Sequence, residues 1–571
     1  MSDAQTPARR GQVIATPLRR EIDEILALRG EAREKRLLAT PSLAAVVALL
    51  PPEELYFTLK EMDPDNVPLV LAHARPDQVE FFIDLELWKG DRVRPGRVVP
   101  WLRLLASCGQ APLARWLRGL DLADLTLYLG RVVRVVRPHE PDEDPFQDLP
   151  DRAPITVDGF YYARCAAEHE NLIRTVLGVL RQADPDRYVR LMEALLGEVD
   201  SELEEHVYQE RVRRLAMRGF PEWDEAMEVY VPMEVASARE LPARGGLPSP
   251  DPDGEPEAVP RYPIAAPSVA PDLVVRALGR VANPAAAESI QLELATLTNR
   301  VMVADRLDLD RMESYGRALA KVAGYLAIGL EALAGPDDEA AARLLERHWL
   351  QHLFRVGWTR IVAARNRARH VFRRGWPEGH KERLLFLDPP LGEILDGLLR
   401  HHPLWFAGED AAPIYREFRS LSEVDQAIRA VDKAEFLGRF LVSVVDLRLD
   451  DCKGALRDLE PEHLKTSTVF LTSLVNAALD RGFRFAPVPR RRAREGLAKV
   501  WEEDRPPRRV KPGLADASVE WVELLLPLSG TDRMFLREFV QECFGLLEEE
   551  FGHLAPDEVP DPRFTRGLWI R

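Results

Sequence analysis

The 571-residue sequence holds only four cysteines, Cys108, Cys165, Cys452 and Cys543, far apart and with no CxxC pair. That spacing argues against a disulfide framework and a thiolate zinc site, and makes reduced, buried thiols the expectation. Long uncharged apolar runs are also missing. The most apolar helix-length stretch, Gly316 to Gly335, carries Arg317, Lys321 and Glu331, and such charges exclude an ordinary membrane span. The opening MSDAQTPARRGQV has no apolar core of a secretory signal. A cytoplasmic location without membrane insertion is expected, and Arg, Ala and Pro richness hints at a bacterial source.

Strong catalytic signatures are lacking too. No GxxxxGK followed by Ser or Thr, no GxGxxG and no GxSxG occurs. HExxH fails twice: Pro141 follows His139-Glu140, and Ile173 stands where His169-Glu170 would need a second histidine. The calcium-loop-like Asp251-Pro252-Asp253-Gly254 has Pro260 in the twelfth position, which fits a linker better. No cofactor is expected, and the reading leans away from an enzyme.

What remains is ordinary globular chemistry. The chain is 46% hydrophobic and 30% charged, with a net charge of -16. That balance implies a folded protein of roughly three or four compact units. It disfavours non-specific nucleic-acid binding unless a local basic face overrides it.

Three segments align without gaps, LPPEELYFTLKE from Leu50, MDPDNVPLVLAH from Met62 and ARPDQVEFFIDL from Ala74, which spaces Pro52, Pro64 and Pro76 by twelve. Proline suits a helix's first turn, and Glu53, Asp65 and Asp77 follow where negative charge is favoured. Each unit reads as a short helix that must stack on its neighbours to bury an apolar face. Pro100 and Pro112, again twelve apart, are read as opening PWLRLLASCG and PLARWLRGL. Trp88, Trp101 and Trp116 are expected in the core rather than on a recognition surface.

This run resembles the cytosolic N domain of MgtE-type magnesium transporters and, more distantly, the helical domains of the flagellar rotor protein FliG. The resemblance implies a contact-making and regulatory module. The transporter's membrane helices have no counterpart, and no magnesium ligand is carried over. The rest, through ITVDGFYY, ELEEHVYQERVRRLAMRGFPEWDEAMEVYVP and TNRVMVADRLDLD, resembles a family of uncharacterised bacterial proteins classed as a domain of unknown function, which brings no activity.

The expected fold class is predominantly all-α. Residues 1–36 read as a mixed charged arm, 37–137 as the helical repeat domain, 138–155 as a connector and 156–240 as a helical domain. A linker with nine prolines spans 241–271, and 272–571 forms a C-terminal helical domain. FRFAPVP and VELLLPL leave room for a minor β pair near the C-terminus, and Arg490 to Lys511 reads as a loop or exposed arm.

The run from Gln351 to Pro377 contains Arg355, Arg360, Arg365, Arg367, Arg369, Arg373 and Arg374, interleaved with aromatics and free of acidic residues. Such a helix can pair with acidic protein surfaces, its own included, or bind single-stranded nucleic acid or a small anion. Glu205, Tyr208, Arg211 and Arg214 share a helix that is either a salt-bridged face or one wall of a ligand pocket between helical halves. His348 and His352, four apart, are a weak metal candidate. Glu460 with His463, and Glu550 with His553, match half of a di-iron pattern. The favoured reading is an interaction or regulatory scaffold with a protein partner; a pocket enzyme or ligand binder and a nucleic-acid binder are the rivals, and self-association is left open.

Overall fold

Proline at the start of a helix gives up an N–H that would be unpaired there anyway. Pro52–Glu61 and Pro76–Glu86 follow that rule, with Glu53 and Asp77 in their first turns. In a computed structural model describing residues 16–138, 155–197, 201–244, 272–374, 386–503, 505–555, 558, 560 and 565–571, the chain is predominantly all-α. Among these residues are 26 α-helices and three two-stranded antiparallel sheets.

Two compact units divide at Val356 and Gly357, so the division falls inside the helix Leu350–Arg374 rather than in the proline-rich stretch. Of that stretch only 241–244 is described, and the connector falls almost wholly outside the described residues.

In the first unit, 16–38 is not an arm. It forms the helices Thr16–Ala27 and Gly30–Leu38, with Ile22, Ile25, Leu26 and Leu37 buried. Arg33 is 1% exposed and donates to Glu54 Oε2 at 3.1 Å, Thr58 Oγ1 at 3.0 Å and the Leu26 carbonyl at 2.9 Å. A buried guanidinium so completely paired fastens these helices to the repeat.

The twelve-residue spacing survives as helix count but not as a uniform start. Pro64 opens a turn, and the helix it precedes is only Val67–Leu71. Pro100 lies inside Pro95–Ser107, and Pro112 is the third residue of Gln110–Gly119. A Cβ on Gly119 would lie 2.5 Å from Pro76 Cβ, so glycine permits that helix to meet the start of Pro76–Glu86. Trp88 and Trp116 are buried, and Trp101 is half-buried.

Further along, the buried helix Met312–Ala334 packs on Pro284–Ala304. A Cβ on Gly329 would sit 2.1 Å from the Leu353 carbonyl oxygen, a close approach open only to glycine. Among the described residues no single helix is long and apolar enough to cross a membrane.

In the second unit, Leu421–Ser443, Thr466–Ala478 and Gly530–Phe551 surround an aromatic core. Phe470 and Phe539 ring centres lie 5.5 Å apart, and those of Phe440 and Phe539 6.1 Å. The expected C-terminal β pair is replaced. VELLLPL mostly belongs to the helix Leu514–Leu525, and FRFAPVP contributes one bridge, Val488 to Ile570. The sheets instead pair 88–89 with 92–93, 134–136 with 162–164, and 405–406 with 415–416. Arg490–Val500 is a helix, not a loop, because Ala493, Leu497 and Val500 recur at helical spacing and are buried. Cys452 and Cys543 are buried, whereas Cys108 and Cys165 are half-exposed.

Candidate functional site

Residues three or four apart on a helix share a face. On Ser201–Met217 this puts Tyr208, Arg211 and Leu215 inward and Glu205 outward. Tyr208 lies against Trp88, with ring centres 5.9 Å apart. Arg211, 8% exposed, spans the same ring at 5.4 Å and donates from Nε to the Asp84 carbonyl at 2.7 Å. That is the only hydrogen bond its guanidinium makes among the described residues, and burial lowers its pKa.

Arg214 turns to the neighbouring carboxylates. Its Nε and Nη2 donate to the two oxygens of Asp84 at 2.9 and 2.7 Å, and Nη2 lies 3.3 Å from Asp124. Burial raises the Asp84 carboxyl, with Arg214 opposing. Burial also works against the charged form of Arg214, but its bonds to Asp84 outweigh this and raise it. The bidentate geometry decides for an ion pair. Asp124 has the weaker hold, and burial pushes it up to about 7 despite Arg214.

Tyr208 and Arg211 therefore line a cleft of about 670 Å³, completed by Trp88, Phe220, Trp223 and the turn at Arg306 to Asp310. Glu205 is not part of it and accepts a bond from Gln209. Arg214 is not among its lining residues either. On the outer face Arg213 takes Glu210 at 3.3 Å, while Arg214 faces inward.

Asp84 and Asp124 escaped the sequence reading. The signal was there, since Asp84 interrupts the apolar run FFIDLEL at a position the helix buries. Two segments singled out in the sequence, Glu202 to Pro232 and Thr298 to Asp310, meet at the cleft.

The Arg-rich helix divides its arginines. Arg355 donates to the Glu228 carbonyl at 2.9 and 2.6 Å, and Arg365 to that of His401 at 2.9 Å. Arg367 pairs with Asp432 at 3.2 Å and with Glu435. Arg360, Arg369 and Arg373 are exposed and make no hydrogen bond or ion pair among the described residues. The Arg374 side chain lies outside them.

His348 caps the end of Asp338–Arg347, and His352 follows in the next helix. Burial lowers both imidazoles. Glu550 is engaged by the backbone N–H groups of Arg566 and Gly567 at 2.5 and 2.8 Å. No group of three or more His, Cys, Asp or Glu among the described residues could hold a metal ion.

Over residues 11–571 the sequence matches a family described as of unknown function, DUF6178. The chain belongs to the DUF6178 family. No curated protein and no solved structure matches it. The resemblance of the proline-spaced repeat to the MgtE N domain therefore finds no support from a relative, and DUF6178 spans that repeat and the later helices alike.

Proposed function

We propose that this protein is a helical interaction scaffold whose Leu350–Arg374 helix receives an acidic segment of a protein partner. The observation behind it is the pair Arg369 and Arg373, exposed one turn apart and without an ion pair among the described residues, in a chain of net charge -16. On the same helix Arg367 already takes two carboxylates, Asp432 and Glu435, supplied by a neighbouring helix. Guanidinium groups in such an array suit the bidentate geometry of carboxylates.

The test is fluorescence anisotropy with a Glu/Asp-rich peptide and, in parallel, single-stranded DNA of equal charge. Salt-sensitive peptide binding that weakens at least tenfold in Arg369→Gln/Arg373→Gln supports the proposal. Tighter binding of the DNA, or peptide binding indifferent to the substitutions, overturns it.

A further inference from the structure

We infer that the cleft at Arg211 and Arg306 is a binding site for a small anion carrying a planar ring. The inference is independent of the basic helix, since it concerns a different part of the chain.

Arg306 supplies the first line of argument. It follows the helix Pro284–Ala304 in a left-handed conformation, φ +53°. Leu307 N–H bonds the Met302 carbonyl at 2.9 Å and Arg306 N–H the Val303 carbonyl at 3.0 Å. This is the helix-ending motif whose left-handed residue is normally glycine. A side chain with a Cβ is disfavoured there, so the arginine is not explained by the backbone. Its guanidinium sits 4.5 Å from the centre of the Trp223 ring, and Trp223 is 41% exposed. An exposed indole with a cation over one face makes a ready platform for a flat molecule.

Arg211 supplies the second. It is a buried cation in contact with Trp88, with no ion pair among the described residues, and it lines the cleft. The nearby Asp84 carboxylate favours its charge, but both oxygens of that carboxylate are held by Arg214; a desolvated guanidinium without an ion-pair partner of its own is costly, and an anion entering the cleft would relieve that cost. Asp310 cannot serve, because Arg94 holds it at 3.1 Å from both terminal nitrogens.

Lys89 is exposed and unpaired among the described residues, and adds to the positive side. Glu222 and Asp224 are exposed carboxylates, screened by water, while Asp308 is paired with Arg311 at 3.2 Å. The buried charge left without an ion pair among the described residues is therefore the cation Arg211. At about 670 Å³ the space falls in the usual range for small-molecule sites.

Binding is measured by calorimetry on the full chain with adenosine 5′-monophosphate and indole-3-acetate as ring-bearing anions, and with adenosine and inorganic phosphate as the separate halves. Saturable binding of one ring-bearing anion, at least fivefold tighter than either half, is expected. Arg306→Gly should weaken it about tenfold without lowering the melting temperature, because glycine suits that backbone. Arg211→Gln should weaken it further. The inference fails if neither ring-bearing anion binds saturably, if phosphate alone binds as well, or if Arg306→Gly leaves the affinity unchanged.

Discussion

Arg214 holds both carboxylate oxygens of Asp84, at 2.9 and 2.7 Å, across 130 residues of sequence. The contact ties Ser201–Met217 to Pro76–Glu86, and so joins two stretches that the sequence keeps apart. With Asp84 buried, removing the cation leaves a carboxylate neither solvated nor paired. Arg214→Leu should therefore cost about 3–5 kcal/mol. Asp84→Leu/Arg214→Leu should cost less than Arg214→Leu alone, as urea unfolding would measure.

Asp124 gives the same cluster a pH dependence. Burial raises its pKa from 3.8 to about 7, so between those values the folded chain holds a proton that the unfolded chain has released. Stability from this group is complete below pH 4 and is lost as pH rises through 7. Urea midpoints should fall between pH 5 and pH 8, and Asp124→Asn should flatten that slope.

Arg33 tests whether the first helices belong to the fold. Its partners Glu54 and Thr58 are buried with it. Arg33→Leu should lower stability by about 3–5 kcal/mol, since the buried Glu54 carboxylate would lose its Arg33 ion pair. A loss below about 0.5 kcal/mol, typical of surface changes, would mean that the segment is loosely attached.

Gly329 tests the close helix approach at Leu353. Gly329→Ala sets a methyl group 2.1 Å from a carbonyl oxygen, and should cost about 1–3 kcal/mol through overpacking. The same substitution at Gly316, where a Cβ meets nothing within 4 Å, should be neutral or stabilising by about 0.4–1 kcal/mol.

Fold class was legible because apolar residues recur at helical spacing almost throughout, as at Ile290, Leu294, Leu297 and Val301, all buried. Helix starts were less so. Proline permits a first turn without requiring one, which is why Pro100 lies mid-helix while Pro95 opens it. VELLLPL misled because a short apolar run does not tell a strand from a helix end; Leu524 is 84% exposed at the end of Leu514–Leu525. In the cleft, Tyr208 and Arg211 could be named from one helix. Trp88, Trp223 and Arg306 could not, since only tertiary packing brings them together and a left-handed backbone at an arginine leaves no sequence pattern.

The most direct test of the scaffold reading is affinity capture from the native cell, comparing the wild-type chain with Arg369→Glu/Arg373→Glu, followed by mass spectrometry. The account predicts one protein with an acidic segment, captured by the wild type and lost from the variant. The same proteins recovered with both chains, or nucleic acid recovered in place of a protein, would contradict it.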